Sequence, residues 1–145
     1  MRYILILFFI LVSFGHAFSQ VQVGIYHSGT MAQIGVGTDI EKKFFGELRF
    51  LAPDRIELDH GVEVIGQYNF YRTEWYNLHG GLMVGFFGDL SIGPDAAIGL
   101  PLGTTIKPIS AFQRLGILME ATPYILSDQF FLRGNIGLRM RLGGD

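Results

Sequence analysis

The sequence predicts an all-β fold, an eight-stranded antiparallel up-and-down barrel, on three observations. Only 17% of the 145 side chains are charged, well under the quarter or so usual in soluble domains. From Val21 onward apolar residues recur at every second position in run after run, which is the period of a strand and not of a helix. Twenty glycines and a 14% aromatic fraction, with no Gly-X-Y period, fit a sheet in which backbones and rings share crowded space.

Composition also excludes several classes. A formal charge of −2 leaves no basic footprint for nucleic acid. The absence of cysteine removes disulfides, thiolate metal sites, cysteine nucleophiles and lipoprotein-type lipid attachment. Met1-Arg2 followed by the apolar run Tyr3 to Val12, with Ala17-Phe18-Ser19 as a small-x-small cleavage pattern, reads as a secretory signal peptide over residues 1–19. That run is too short to cross a bilayer, which takes about 20 apolar residues. Residues 20–145 form one barrel domain.

The strands follow in order. Val21, Val23 and Ile25 oppose Gln22, Gly24 and Tyr26, and Ser28-Gly29-Thr30 turns the chain. Ala32, Ile34, Val36, Thr38 and Ile40 oppose Gln33, Gly35, Gly37 and Asp39, with Glu41-Lys42-Lys43 as the next turn. Phe44, Leu48, Phe50 and Ala52 oppose Phe45, Glu47, Arg49 and Leu51. A long run sets Ile56, Leu58, His60, Val62, Val64, Tyr68 and Phe70 against Glu57, Asp59, Gly61, Glu63, Gln67, Asn69 and Tyr71, and Thr73-Glu74-Trp75 closes it. Tyr76, Leu78, Leu82, Val84 and Phe86 oppose Asn77, His79, Gly81, Met83, Gly85 and Phe87. Ala96, Ile98, Leu100, Leu102, Thr104 and Ile106 oppose Ala97, Gly99, Pro101, Gly103, Thr105 and Lys107. Leu115, Ile117, Met119, Ala121, Pro123 and Ile125 oppose Gly116, Glu120, Thr122 and Tyr124, with Leu118 the exception. After Ser127-Asp128-Gln129, Leu132, Ile136, Leu138, Met140 and Leu142 oppose Arg133, Asn135, Gly137, Arg139 and Arg141. An even number of strands lets the first pair with the last, which removes exposed edges.

Alternation alone leaves open which face is inside. A soluble lipocalin-like barrel puts the apolar parity inward; a transmembrane barrel inverts it. Inversion is favoured because the glycines gather on the polar parity, where a narrow lumen demands small residues. The charges there also have partners to hand: Arg49 is expected roughly opposite Asp59, and Glu120 within diagonal reach of Arg133 or Arg139. Aromatics near strand ends, Phe44, Tyr68, Phe70 and Tyr76 at one rim and Phe50 and Phe86 toward the other, fit interfacial girdles. The expected luminal network comprises Glu47, Arg49, Asp59, Glu63, His79, Glu120, Arg133, Arg139 and Arg141, filling the bore because buried charge is costly unless paired.

Gly99-Leu100-Pro101-Leu102-Gly103, Met119-Glu120-Ala121-Thr122-Pro123-Tyr124 and Gly134-Asn135-Ile136-Gly137-Leu138-Arg139-Met140-Arg141-Leu142 resemble motifs of the small outer membrane β-barrel proteins of the Bacteroidetes. The chain departs from that pattern at Met140, where the family usually has an aromatic. The resemblance implies a cell outer membrane location in a Gram-negative cell, with both termini and the 41–43, 73–75 and 108–114 connections periplasmic. It implies outer membrane lipids and the barrel-insertion machinery as partners.

No catalytic, metal or cofactor site is expected. His27 and Ser28 are adjacent, so on a strand their side chains point to opposite faces and cannot act as a base and nucleophile pair. His60 reads as interfacial and His79 as a luminal hydrogen-bonding group without a second ligand at metal spacing. Gly35-Val36-Gly37 is sheet packing, since no helix follows to receive a phosphate. Glu57, Asp59 and Glu63 read as luminal pairing partners. The function expected is a monomeric, non-enzymatic, porin-like barrel, structural or passing a narrow solute; the alternative is a secreted or periplasmic soluble barrel that binds an apolar ligand.

Overall fold

The computed structural model describes residues 20–29, 31–53, 60–88 and 93–143. The expected signal segment, residues 1–19, lies outside them, as do Glu57 and Asp59. The described chain forms β1 (Val21–Ser28), β2 (Met31–Thr38), β3 (Phe44–Pro53), β4 (Gly61–Arg72), β5 (Tyr76–Phe87), β6 (Asp95–Gly99), β7 (Leu102–Ile106), β8 (Leu115–Leu126) and β9 (Gln129–Leu142). Each strand pairs antiparallel with its neighbours, and β1 pairs with β9 from Val21↔Leu142 to His27↔Ile136. With β4 also paired to β5, the sheet closes on itself.

β6 and β7 together make one stave, since both lie between β5 and β8. The break falls at Leu100-Pro101, where proline has no N–H to give the ladder. The ladder nevertheless continues: Gly81 N–H donates to the Pro101 carbonyl and Leu100 N–H to the Pro123 carbonyl, each at 2.9 Å. The result is an eight-stave antiparallel barrel.

The faces are inverted relative to a soluble barrel. Ile25 is 68% exposed and Leu132 71%, whereas Arg49 and Arg139 on the opposite parity are 0% and 1% exposed. Ile40 is a local exception to the expected alternation. The strand ends at Thr38, and Ile40 turns inward to become buried in the 39–43 connection. Of the expected long fourth run, residues 56–59 lie outside the described residues and β4 is described from Gly61; its register is corrected, since Arg49 stands opposite Glu63 rather than Asp59.

Inward glycines are set by the neighbouring stave. A Cβ at Gly81 would collide with the Gly66 carbonyl oxygen, and one at Gly137 with the Ile25 carbonyl oxygen. The β8–β9 hairpin closes through two residues, Ser127 and Asp128, at φ of 49° and 64°, since Leu126 already pairs with Gln129. Two left-handed centres are the type I′ pattern, which favours Asn-Gly and costs other residues.

Two outcomes follow for urea unfolding in detergent micelles. Gly81→Ala and Gly137→Ala lower stability by about 1–3 kcal/mol through overpacking, while Gly66→Ala, whose Cβ meets nothing within 4 Å, stays within about 0.5 kcal/mol. The double change Ser127→Asn, Asp128→Gly raises stability by about 1 kcal/mol; a fall would show that the hairpin does not depend on this turn.

Candidate functional site: the filled lumen

The bore is occupied in three layers. At the centre, Arg49 on β3 reaches across to Glu120 on β8, with Nη1–Oε1 at 2.7 Å and Nη2–Oε2 at 3.0 Å. The same guanidinium contacts Glu47 at 3.0 Å, and Glu47 receives Arg139 of β9 at 2.7 Å. Tyr26 sits between them: its hydroxyl donates to Glu47 and accepts from Arg139 Nε at 2.9 Å. The Arg49 guanidinium lies 4.6 Å from the centre of the Tyr26 ring, a cation–π distance.

Around this core the carboxylate of Glu120 also accepts from Gln67 at 3.1 Å, Asn135 at 3.2 Å and Thr122 at 3.3 Å. Arg139 donates to Thr105 at 3.1 Å, and Thr105 lies 3.3 Å from His79 Nε2. A second ion pair joins Arg133 on β9 to Glu63 on β4, with an Nη2–Oε2 hydrogen bond at 2.9 Å and an Nη1–Oε1 contact at 2.7 Å. Three carboxylates thus face three guanidiniums, and the buried formal charge cancels.

The pairing differs from that expected. Glu120 stands beside Asn135, but its ion pair is with Arg49. Arg133 and Arg139 instead take Glu63 and Glu47. Around the barrel, β3 and β8 are four staves apart, as are β4 and β9, so two of the pairs bridge the bore diametrically. An eight-strand lumen is just wide enough for side chains to fill, and long Arg and Glu side chains from opposite walls meet in it.

Toward the end opposite the termini, Leu51, Ile65, Met83, Phe87 and Ala97 form an apolar inward layer, with Met31, Tyr124 and Leu126 packed against it. The alternation hid this layer, because these residues sit on the polar parity.

At the termini end the 39–43 connection is tied down over the bore. Asn69 Nδ2 donates to the carbonyls of Ile40 and Lys42, each at 2.7 Å. Buried Lys107 donates to the Glu41 carboxylate at 3.2 Å and the Thr73 carbonyl at 2.6 Å. Arg141, expected in the central network, lies at this rim and pairs with Asp39 at 3.7 Å. Asp59 is outside the described residues. Tyr26, Gln67 and Thr105 are central to the lumen and Lys107 holds its termini end; their only signal in the sequence is membership of the inward parity.

His27 faces outward and is exposed, while the adjacent Ser28 is half-buried, so the two do not converge. His60 is exposed.

An antiparallel eight-stave barrel with an apolar outside and a charged, filled inside is the class that this geometry defines. Among solved structures the chain is similar to the N-terminal β-barrel domain of Pseudomonas aeruginosa OprF, with a TM-score of 0.62 over 85% of this chain and 96% of that one. Identity is 6%, so the likeness is one of fold. No protein-family model and no curated protein matches the chain.

Removing one member of the central network strands its partners. Arg49→Ala leaves Glu47 and Glu120 short of a buried cation and should cost about 3–5 kcal/mol, read by urea unfolding in micelles. Arg49→Met combined with Glu120→Gln, which deletes charge of both signs, should cost markedly less. Equal losses in the two variants would show that packing rather than ion pairing governs this site.

Proposed function

We propose that this chain is an integral outer membrane β-barrel protein with a closed lumen, serving as a structural, non-enzymatic membrane element. The observation that carries the reading is the inversion of faces: apolar side chains cover the outside while arginines and glutamates are buried within. In water such an exterior is an aggregation surface; in a bilayer it is the required one. The outer membrane assignment draws support from the similarity to the OprF barrel domain and from the signal-like first segment, and the motifs of the last third support a place among the Bacteroidetes barrels. Expected partners are membrane lipids and the insertion machinery, with the barrel itself a monomer.

Closure rests on three successive blocks along the bore: the apolar layer, the ion-paired centre, and the 39–43 connection held by Asn69 and Lys107. The soluble alternative needs an apolar cavity and a water-facing exterior, and the faces are disposed the other way.

Fractionation tests the location: the protein is expected in the membrane fraction, released by detergent, and recovery in the aqueous fraction without detergent would overturn the reading. Planar-bilayer recording tests closure. No steady conductance is expected, and large, persistent single-channel currents would sink the closed lumen while leaving the membrane location intact.

A further inference from the structure

Three glycines on the outward face, Gly46, Gly66 and Gly134, are not explained by the chain's own packing, and the first two lie side by side. On inward positions such as Gly81 and Gly137 an added Cβ collides with backbone, but at Gly66 it meets nothing within 4 Å and at Gly46 its nearest atom is the Ile65 carbonyl oxygen at 3.6 Å, an ordinary contact. Gly46 and Gly66 are register partners on β3 and β4. The notch they leave belongs to an outer-surface groove of about 430 Å³. Phe44 and Tyr68, with ring centres 4.9 Å apart, border it on the side of the termini end.

The groove leads to a basic rim. Lys43 Nζ lies 5.5 Å above the Tyr68 ring, and Lys43 and Arg72 line an adjoining cleft of about 750 Å³ that shares Tyr68 with the groove. Glu41 and Glu74 also line that cleft, but Glu41 is neutralised by Lys107 at 3.2 Å. Beyond the Glu41–Lys107 and Asp39–Arg141 pairs, the described residues of this end include Lys42, Lys43 and Arg72 against Glu74. Among the described residues, the other end carries Asp95 at the start of β6 and Asp128 in the β8–β9 turn. In the described residues the two ends are therefore of opposite sign.

We propose that the termini-end rim and its groove bind an anionic phospholipid, the phosphate against Lys43 and Arg72 and one acyl chain in the Gly46–Gly66 notch. The proposal rests on the membrane reading above. Lys43 and Gly46 are three positions apart, about 10 Å along a strand, which sets the cations at headgroup level and the notch in the hydrocarbon. The aromatics between them occupy the interface, where such rings are favoured. Lysine stems lie along apolar surface while their ammonium groups reach the polar layer, and each cation near an anionic surface strengthens binding several-fold.

The test uses the full barrel refolded into neutral detergent and into vesicles, with native mass spectrometry reading bound phosphatidylglycerol against phosphatidylcholine. Phosphatidylglycerol is expected to be retained in preference, unaffected by competing inorganic phosphate. The exposed pair change Lys42→Gln, Lys43→Gln should cut that retention roughly tenfold. Gly66→Leu, which fills the notch and leaves the charges in place, should weaken retention of both lipids. A barrel that inserts into vesicles but shows no preference, whose preference survives the lysine change, or whose retention of both lipids survives Gly66→Leu overturns the lipid site alone. Displacement by inorganic phosphate also overturns it, in favour of a free-anion site. Failure to insert into vesicles overturns the membrane reading and this proposal together.

Discussion

The width of an eight-strand bore is the constraint on which the rest depends. It is too narrow to hold bulk water around charged groups and wide enough for side chains from opposite walls to touch at its centre. Arg49 is where this constraint is met: fully buried, it is held by Glu120 from the opposite stave and by Glu47 two residues away on its own strand. A guanidinium offers five donors in a planar fork, and here that fork binds two carboxylates at once. Glu47 then carries the connection onward to Arg139 and Tyr26, so the pairs form a network and not isolated bridges.

From that network follow the positions of the glycines and the character of the outside. Gly35 and Gly37 stand opposite Arg49 and Glu47, leaving room for the long side chains. With polar groups consumed in the interior, the outer face is left to Ile, Leu, Val and Phe, which a hydrocarbon solvent accepts and water does not. The two ends are finished differently. One has an apolar inward layer around Met83 and Ile65, and the other a connection pinned by Asn69 and Lys107.

Much of the fold was legible because a strand exposes its two faces with period two, and nearly every run kept its parity. The turn 73–75 falls where the polar punctuation placed it, and Glu47 and Arg49 lie on the inward face as their parity requires. Legibility failed where parity and polarity part company. Leu51, Ile65, Met83 and Phe87 are apolar residues on the polar face, and only the closed barrel shows that they gather in one layer. Ile40 fits the alternation on paper, but the strand has ended before it. Arg141 shares the parity of Arg139 but lies one step nearer the rim, where it meets Asp39 instead of the central carboxylates.

The amino-acid sequence by itself determined the all-β class, the near-alternation of the strands and which residues share a face, since these are properties of local backbone geometry. It also determined that few charges were available, and that those in the strands gather on one face. Only the tertiary structure decided which charge meets which. The ion pairs of the central network join residues up to 92 positions apart, as Glu47 and Arg139 are, and their partners are set by how the staves are staggered around the bore, a quantity that no single strand carries.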